Sequence, residues 1–430
     1  MITVGASTMD REFTSWVELG NHSRLKGASL SEKFLNESSL YPIILGSDAK
    51  IDYVSGEDAD QCQKDTLDPK KAKGKIIVCL RGENGRTEKG EQVLRAGGIG
   101  MILANDEKDG NEIIADPHLL PATHITYSDG QKLSSYISST KTPMATITKV
   151  KTYLSTKPAP FMASFSSRGP NMVEQSLLKP DVTAPGVSII AAFSLAVSPT
   201  EQDFDKRRIP YNSQSGTSMS CPHVAGIVAL LKSVHPEWNP SQIKSAIMTT
   251  ARTRDNTKGS LRDASNQEAT PFAYGSGHVR PNQAWNPGLV YDLTEQDYMN
   301  ILCSRGYNAT QLMKFYGGSY QCPKSFEVRD LNYPSIGSDY VNTSVTITRT
   351  VKNVGPPSSY KVRIRQPPGI AVSVQPKILN FRKTGEEMSY KVTLKVLDKN
   401  NVFRDFVFGR LTWTDRQHHH VSSPIVVRHG

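Results

Sequence analysis

Three textures of apolar and polar positions follow one another along this 430-residue chain. Near the start, ITVGAS is a strand of small residues, and GNHSRLKGASLS has the spacing of a hairpin. From Tyr41 the pattern changes to short apolar runs separated by Gly and Asp turns: YPIILG, GKIIVCL, GGIGMILAN and ATHITYS, each predicted as a strand. Between two of them, TEKGEQVLRAGG predicts a helix with Val93 and Leu94 inward and Gly97 ending it. From about 152 to 328, short strands, Pro/Gly turns and helices alternate. SMSCPHVAGIVALLKSVH is apolar nearly all round, which predicts a helix buried on every face. WNPSQIKSAIMTTA predicts a second helix, capped by Asn239, with Pro240 first and Ile243 and Ile247 inward. Beyond 329 the period becomes two. TSVTITRTVKNVG, SYKVRIRQ, IAVSVQP, MSYKVTLKV, FVFGRLTWT and SSPIVVR are six strand signals spaced as in a β-sandwich.

Composition narrows the class. The length predicts about two to four domains. The longest uncharged apolar run, VAGIVALL at 224–231, falls far short of the roughly 18 residues that span a membrane. The opening residues read as strand and turn, not as a signal peptide. Net charge is +10, but the basic residues are dispersed, and the densest stretch, 64–75, is interrupted by two aspartates. No aromatics interleave with it, so it reads as solvated surface, and a nucleic-acid partner is not expected. None of the five cysteines forms a CxxC pair. Sequons at Asn21, Asn36, Asn308 and Asn342, with the locally spaced pairs Cys62/Cys79 and Cys303/Cys322, favour a secretory history. Those pairs are the expected disulfides, leaving Cys221 free.

The chemistry concentrates at 215–226, SGTSMSCPHVAG. Ser218 opens the long apolar helix, where its backbone N–H is not used by the helix and the helix dipole favours a developing negative charge. A hydroxyl in that position suits nucleophilic catalysis once a base activates it. The GxSxG elbow of α/β-hydrolases is not met, because position 220 is Ser. GTSMSCPHVAG, with ASFSSRGPN (163–171) and LKPDVTAPGVSIIAA (178–192), resembles the subtilisin-like serine proteases. NPSQIKSAIMTTA and YGSGHVRPNQAWNPGLVYD (274–292) resemble their plant-type, cucumisin-like branch. The resemblance implies a multidomain chain: a partial α/β parallel-sheet catalytic domain at 1–38 and 152–328, an α+β protease-associated insert at 39–151, and a fibronectin type III-like sandwich at 329–430. It implies peptide-bond hydrolysis through an acyl-Ser218 intermediate, without cofactor or metal. Substrate backbone would lie near Ser215 and Gly216. Polypeptides are the partners it implies, with room for a homodimer through the insert, and the full-length protein is expected in the apoplast or cell wall.

The same resemblance demands an aspartate in a D-T/S-G stretch, a histidine in an H-G-T-H stretch and an oxyanion asparagine, and none of these strings occurs here. In the family they precede the ITVGAS stretch, so Met1 is expected to match an interior position and the chain to be truncated and inactive alone. His223 follows Ser218 by five residues in one helix and points away from it. His118, His124, His22, His235 and His278 read as structural or solvated, and Asp181 as structural. KRR at 206–208 reads as an exposed basic loop, HHH at 418–420 as a solvated turn, and no calcium-ligand spacing is seen. The competing reading is a catalytically dead chain that binds a partner through its insert or its sandwich.

Overall fold

A computed structural model describes residues 1–397, 405–415 and 419–429. At its centre Val4–Ser7 pairs in parallel with Val182–Pro185, in the register Val4↔Val182 to Ser7↔Pro185. These strands are built from small residues because the helix Thr217–Val234 lies directly on them. Ala6, Val182 and Ala184 are fully buried, and the Ser220 hydroxyl donates to the Ala184 carbonyl at 3.1 Å. The unexposed Asp181 carboxylate ties this layer to both flanks. It accepts from the Thr3 N–H (2.8 Å), from Lys179 Nζ (2.8 and 2.9 Å) and from the Tyr333 hydroxyl.

The expected strands of the middle region form one larger sheet of eight. Its order is Arg24–Ala28, Ala122–Ile125, Gly100–Ala104, Ile76–Leu80, Tyr41–Leu45, Met144–Ile147, Arg11–Leu19, Lys151–Leu154. Arg24–Ala28 also pairs with Arg11–Leu19, which closes the sheet on itself, so the early hairpin is hydrogen-bonded into this unit. The central strands run parallel, and the two innermost, Ile76–Leu80 and Gly100–Ala104, read as unbroken apolar runs, as strands covered on both faces do. Ile76, Ile77, Met101, Ile102 and Leu103 are all unexposed. The helix Arg86–Arg95 crosses over between two of them, and the Cys62–Cys79 bridge (S–S 2.00 Å) fastens a neighbouring loop to the core. Val93 is buried as expected, but Leu94, expected inward, is 47% exposed: one residue is 100° of helix, and only Val93's side faces the sheet.

All six strand signals beyond 329 are strands, and three short ones join them. Leu289–Val290, Ser344–Asn353, Glu387–Val396 and Ile370–Gln375 form one sheet. The other contains Ile336–Val341, His420–His429, Val407–Thr414, Ser358–Arg365 and Ile378–Phe381. Inward residues alternate along each strand and meet around Trp413, Tyr390 and Tyr360. Buried Arg349 is satisfied by carbonyls alone, those of Tyr333 and Ser335 among them, which fixes the connecting segment onto the sandwich. A second bridge, Cys303–Cys322, joins the helix Glu295–Ser304 to a following loop.

Several expectations are corrected. The helix Thr217–Val234 is not buried on all faces. Only Ser220, Val224, Ile227 and Leu231 are, while Cys221, Ala225, Gly226, Ala229 and Leu230 are exposed. Within the described residues the two-stranded sheet covers one side of it, and its outer face continues into an apolar groove of about 600 Å³ bordered by Ile2, Val228 and Trp238. KRR is a loop with Lys206 and Arg208 exposed, as expected, but Arg207 is tied down: it pairs with buried Asp205 (2.8 Å) and donates to the Pro117 carbonyl. His418 lies outside the described residues, and His419 is hydrogen-bonded to Asp415 at 2.6 Å, not solvated.

Candidate active site

The approach to Ser218 is a sequence of close backbone contacts. Ile189–Ala192 and Tyr211–Gln214 form an antiparallel ribbon that delivers the chain to Ser215. The Ser215 hydroxyl accepts from the Ser188 N–H (2.9 Å), and the Gly216 N–H donates to the Gly186 carbonyl (2.8 Å). Gly216 is the helix N-cap in extended conformation, and the Met219 N–H returns to its carbonyl at 3.0 Å. Ser220 is buried and anchored to Ala184, and Ser218 lies about 200° away around the helix. Burying one serine therefore turns the other out, and Ser218 is exposed. Pro222 lacks the N–H that would bond the Ser218 carbonyl, so both backbone groups of Ser218 stay outside the helical ladder.

Gly186 makes this packing work. A Cβ there would sit 2.2 Å from Ser220 Oγ, 2.8 Å from Ala6 Cβ and 2.9 Å from the Gly216 carbonyl. Two of these neighbours are not flexible side-chain ends, so the turn itself must shift. Gly186→Val is expected to lower stability by about 1–3 kcal/mol. Urea unfolding of the purified variant checks this, and an unchanged midpoint would show that the turn yields freely.

Ser218 opens on a cleft of about 510 Å³. Ser213 to Gly216 and Met219 form the near wall, and Arg86, Thr87 and Ile114 to Pro117 of the eight-stranded unit form the far wall. The far wall is braced by a two-bond ion pair between Arg86 and Asp116 (2.6 and 3.0 Å). Burial alone would raise the Asp116 carboxyl; the Arg86 hydrogen bonds and charge overcome it and hold the group below the ordinary carboxylate range.

No histidine reaches the serine. His223 turns back on its own helix, with Nδ1 2.7 Å from the Met219 carbonyl. His118 and His124 are buried, and desolvation pushes them down to about 4 and about 3. Burial likewise pushes His278 down to about 4. His235 stacks on Trp238 at 3.9 Å, and His22 is exposed in a turn. Among the described residues, no hydrogen bond joins Ser218 to any of them, and no group of three or more His, Cys, Asp or Glu is placed to hold a metal. The structure thus brings Ser215, Gly216 and Ser218 to one cleft. The four sequon asparagines lie exposed on the surface. Sequence reasoning missed Gly186, Ser220 and the Arg86–Asp116 wall. The only signal for the first was the Pro-Gly pair at 185–186.

Comparison with known proteins agrees with the strings around the serine. Residues 330–427 match the model of a fibronectin type-III domain. Two Arabidopsis thaliana proteins, subtilisin-like protease SBT5.4 and subtilisin-like protease SBT5.3, are each 54% identical to this chain over 100% and 99% of its length. The chain covers 55% of each of these relatives. No described helix is long and apolar enough to cross a membrane. A psychrophilic subtilisin-like protease from Pseudoalteromonas sp. AS-11 aligns at 14% identity over 66% of this chain and 52% of that one, with a TM-score of only 0.24. Residues 2–277, which hold the two-stranded sheet, the helix of Ser218 and the cleft it opens on, match the subtilase model, and with more than half the chain so matched the protein belongs to the subtilase family.

Proposed function

We propose that this chain is the serine-bearing part of a secreted serine endopeptidase, with Ser218 as nucleophile and polypeptides as substrates. The observation that carries the reading is the exposed Ser218 at the first turn of an 18-residue helix, facing the cleft beside Ser213 to Gly216. Extended substrate backbone would run along that stretch, and the Ser218 N–H would donate to the oxyanion. The part of the eight-stranded unit within 39–151 corresponds to the protease-associated insert, with Arg11–Leu19, Arg24–Ala28 and most of Lys151–Leu154 added from the flanking catalytic segments, and the C-terminal sandwich corresponds to the fibronectin-like end. The two bridges and four exposed sequons support passage through an oxidising, glycosylating compartment.

Alone, the chain is proposed to be inert. A serine hydroxyl without a histidine in reach remains an ordinary alcohol. That same observation favours the second reading, a binding chain with no turnover. A fluorophosphonate probe separates the readings. The 430-residue chain is expected to remain unlabelled. Labelling abolished by Ser218→Ala would show that an activating group is present after all and would overturn the inert assignment.

A further inference from the structure

The cleft at Ser218 is walled on one side by a loop that the nucleophile itself does not need. It leaves the ribbon after Ile189–Ala192 and returns at Tyr211–Gln214, and its residues Pro199, Thr200 and Glu201 line the cleft. Buried Asp205 braces it, accepting from the Thr200 hydroxyl (3.0 Å), the Arg207 N–H (3.0 Å) and Arg207 Nη2 (2.8 Å). Asn212 Nδ2 donates to the Pro199 carbonyl at 3.0 Å, and Arg207 reaches across to the Pro117 carbonyl. The loop is thereby strapped to both walls of the cleft.

Glu201 is the residue these braces present. Its backbone is left-handed, φ 57°, a conformation that residues with a Cβ seldom adopt, and its N–H is committed to the Ser198 carbonyl at 2.9 Å. The side chain is exposed. Its Oε1 accepts from Gln214 Nε2 at 3.1 Å; its Oε2 accepts from no described group, and no described lysine or arginine pairs with the carboxylate. The other two ionisable groups of the cleft wall, Arg86 and Asp116, neutralise one another. Glu201 is therefore the uncompensated charge of the cleft. Its place relative to the chemistry is set by Gln214, which holds it and directly precedes Ser215. Beyond Glu201 a trough of about 620 Å³ continues, in which Glu91 is paired with Arg95 (2.7 Å) and the charges of Glu88 and Asp203 outnumber that of Lys64. Negative charge prevails there too, on a chain whose net charge is +10.

We propose that Glu201 makes the cleft selective for peptides with a lysine or arginine close to the bond offered to Ser218. This names the substrate class of the endopeptidase reading and rests on that reading. The cationic side chain reaches Glu201 Oε2 while the backbone runs along Ser213 to Gly216, and the negative trough draws such peptides in. A carboxylate already held by Gln214 on a braced loop has less freedom to lose on pairing. An acidic side chain at the same place meets like charge and is disfavoured.

The test is read as binding, so it needs no turnover. Dye-labelled alanine hexapeptides, with lysine, norleucine or glutamate placed in turn at each position, are titrated with the 430-residue chain and followed by fluorescence polarisation. At the position that meets Glu201, lysine is expected to bind about fivefold more tightly than norleucine, and glutamate more weakly than either. Glu201→Gln keeps the side chain's shape and is expected to erase the difference, and Glu201→Lys to reverse it. Asp203→Asn is expected to leave it in place, because the contact is made by Glu201. Saturable binding with no preference for lysine at any position overturns the proposal and leaves the endopeptidase reading standing. So does a preference that survives Glu201→Gln, or one that Asp203→Asn removes equally. Absence of saturable binding by every peptide overturns the reading of the cleft as a peptide site, and the proposal with it.

Discussion

A chimera joining this chain to the part of the Arabidopsis SBT5.4 relative that lies outside the matched region is expected to hydrolyse casein, and Ser218→Ala within it is expected to lower turnover roughly a millionfold. That figure was established on subtilisin, where losing the serine costs as much as losing the whole triad, because the three residues act as one proton-transfer unit. On the proposed reading, the 430-residue chain by itself supplies one member of the unit, Ser218. It is expected to release no more peptide than buffer does, and Ser218→Ala in it to change nothing measurable. Comparing the chimera with the chain alone separates two contributions. On the proposed reading the chain supplies the hydroxyl, the helix terminus and the cleft beside it; the relative's segment would supply the base and its orienting carboxylate. Casein cleavage by the isolated chain that disappears in Ser218→Ala would refute the assignment of roles. A chimera that folds, labels with neither probe nor substrate, and stays silent would instead favour the binding reading.

What was legible in advance followed the range of the interactions. Local rules placed the Asn239 cap, Pro240 at the first helical position and the inward Ile243 and Ile247, and the structure shows each of them. Period two placed the six sandwich strands, because half-buried antiparallel strands must alternate. Ile336–Val341 and Ile378–Phe381 escaped notice, since IGSDYV and ILNF are short and their apolar positions do not repeat cleanly. The Thr217–Val234 helix was misread for a different reason. Mean apolarity reports what a helix is able to bury, whereas exposure depends on what lies beside it, and here one side has no described neighbour. The far wall of the cleft was out of reach for the same reason. Arg86 and Asp116 are 30 residues apart, and both are far in sequence from Ser218. Nothing in either stretch announces that a closed eight-stranded sheet presents them to the serine.

Lowering the pH from neutrality toward 4 is expected to unfold the eight-stranded unit before the sandwich, through His118 and His124. The His124 ring shows why. Its Nδ1 accepts from the Ile114 N–H at 3.0 Å, and its Nε2 lies 2.6 Å from Asn105 Oδ1. The Asn105 amide nitrogen is itself committed to the carbonyls of Gly110 and Glu112, so its oxygen must face the ring and Nε2 must carry the proton. The neutral tautomer is fully satisfied; a second proton on Nδ1 would displace the Ile114 N–H and find only the Ile114 carbonyl, 3.2 Å away, while the charged ring stays cut off from water. His118 is equally buried, with an unpartnered Nδ1. Desolvation lowers both, from 6.5 to about 4 for His118 and about 3 for His124. Between 6.5 and those values the unfolded chain binds the protons and the folded chain does not. Stability is therefore complete above pH 6.5 and falls as the pH drops toward 4 and then 3. The loss is on the order of 3 kcal/mol for each histidine, a large share of the roughly 5–15 kcal/mol that holds a domain together. The urea transition of the eight-stranded unit, followed between pH 4 and 7, should show a slope approaching two protons, His278 contributing only to the serine-bearing unit. His118→Leu should remove one of them while leaving the midpoint at pH 7 within about 1.5 kcal/mol of the parent, the tolerance of a size-matched core replacement. A slope near zero in the parent, or one that His118→Leu does not change, would mean that these rings are not the acid-sensitive element of the fold.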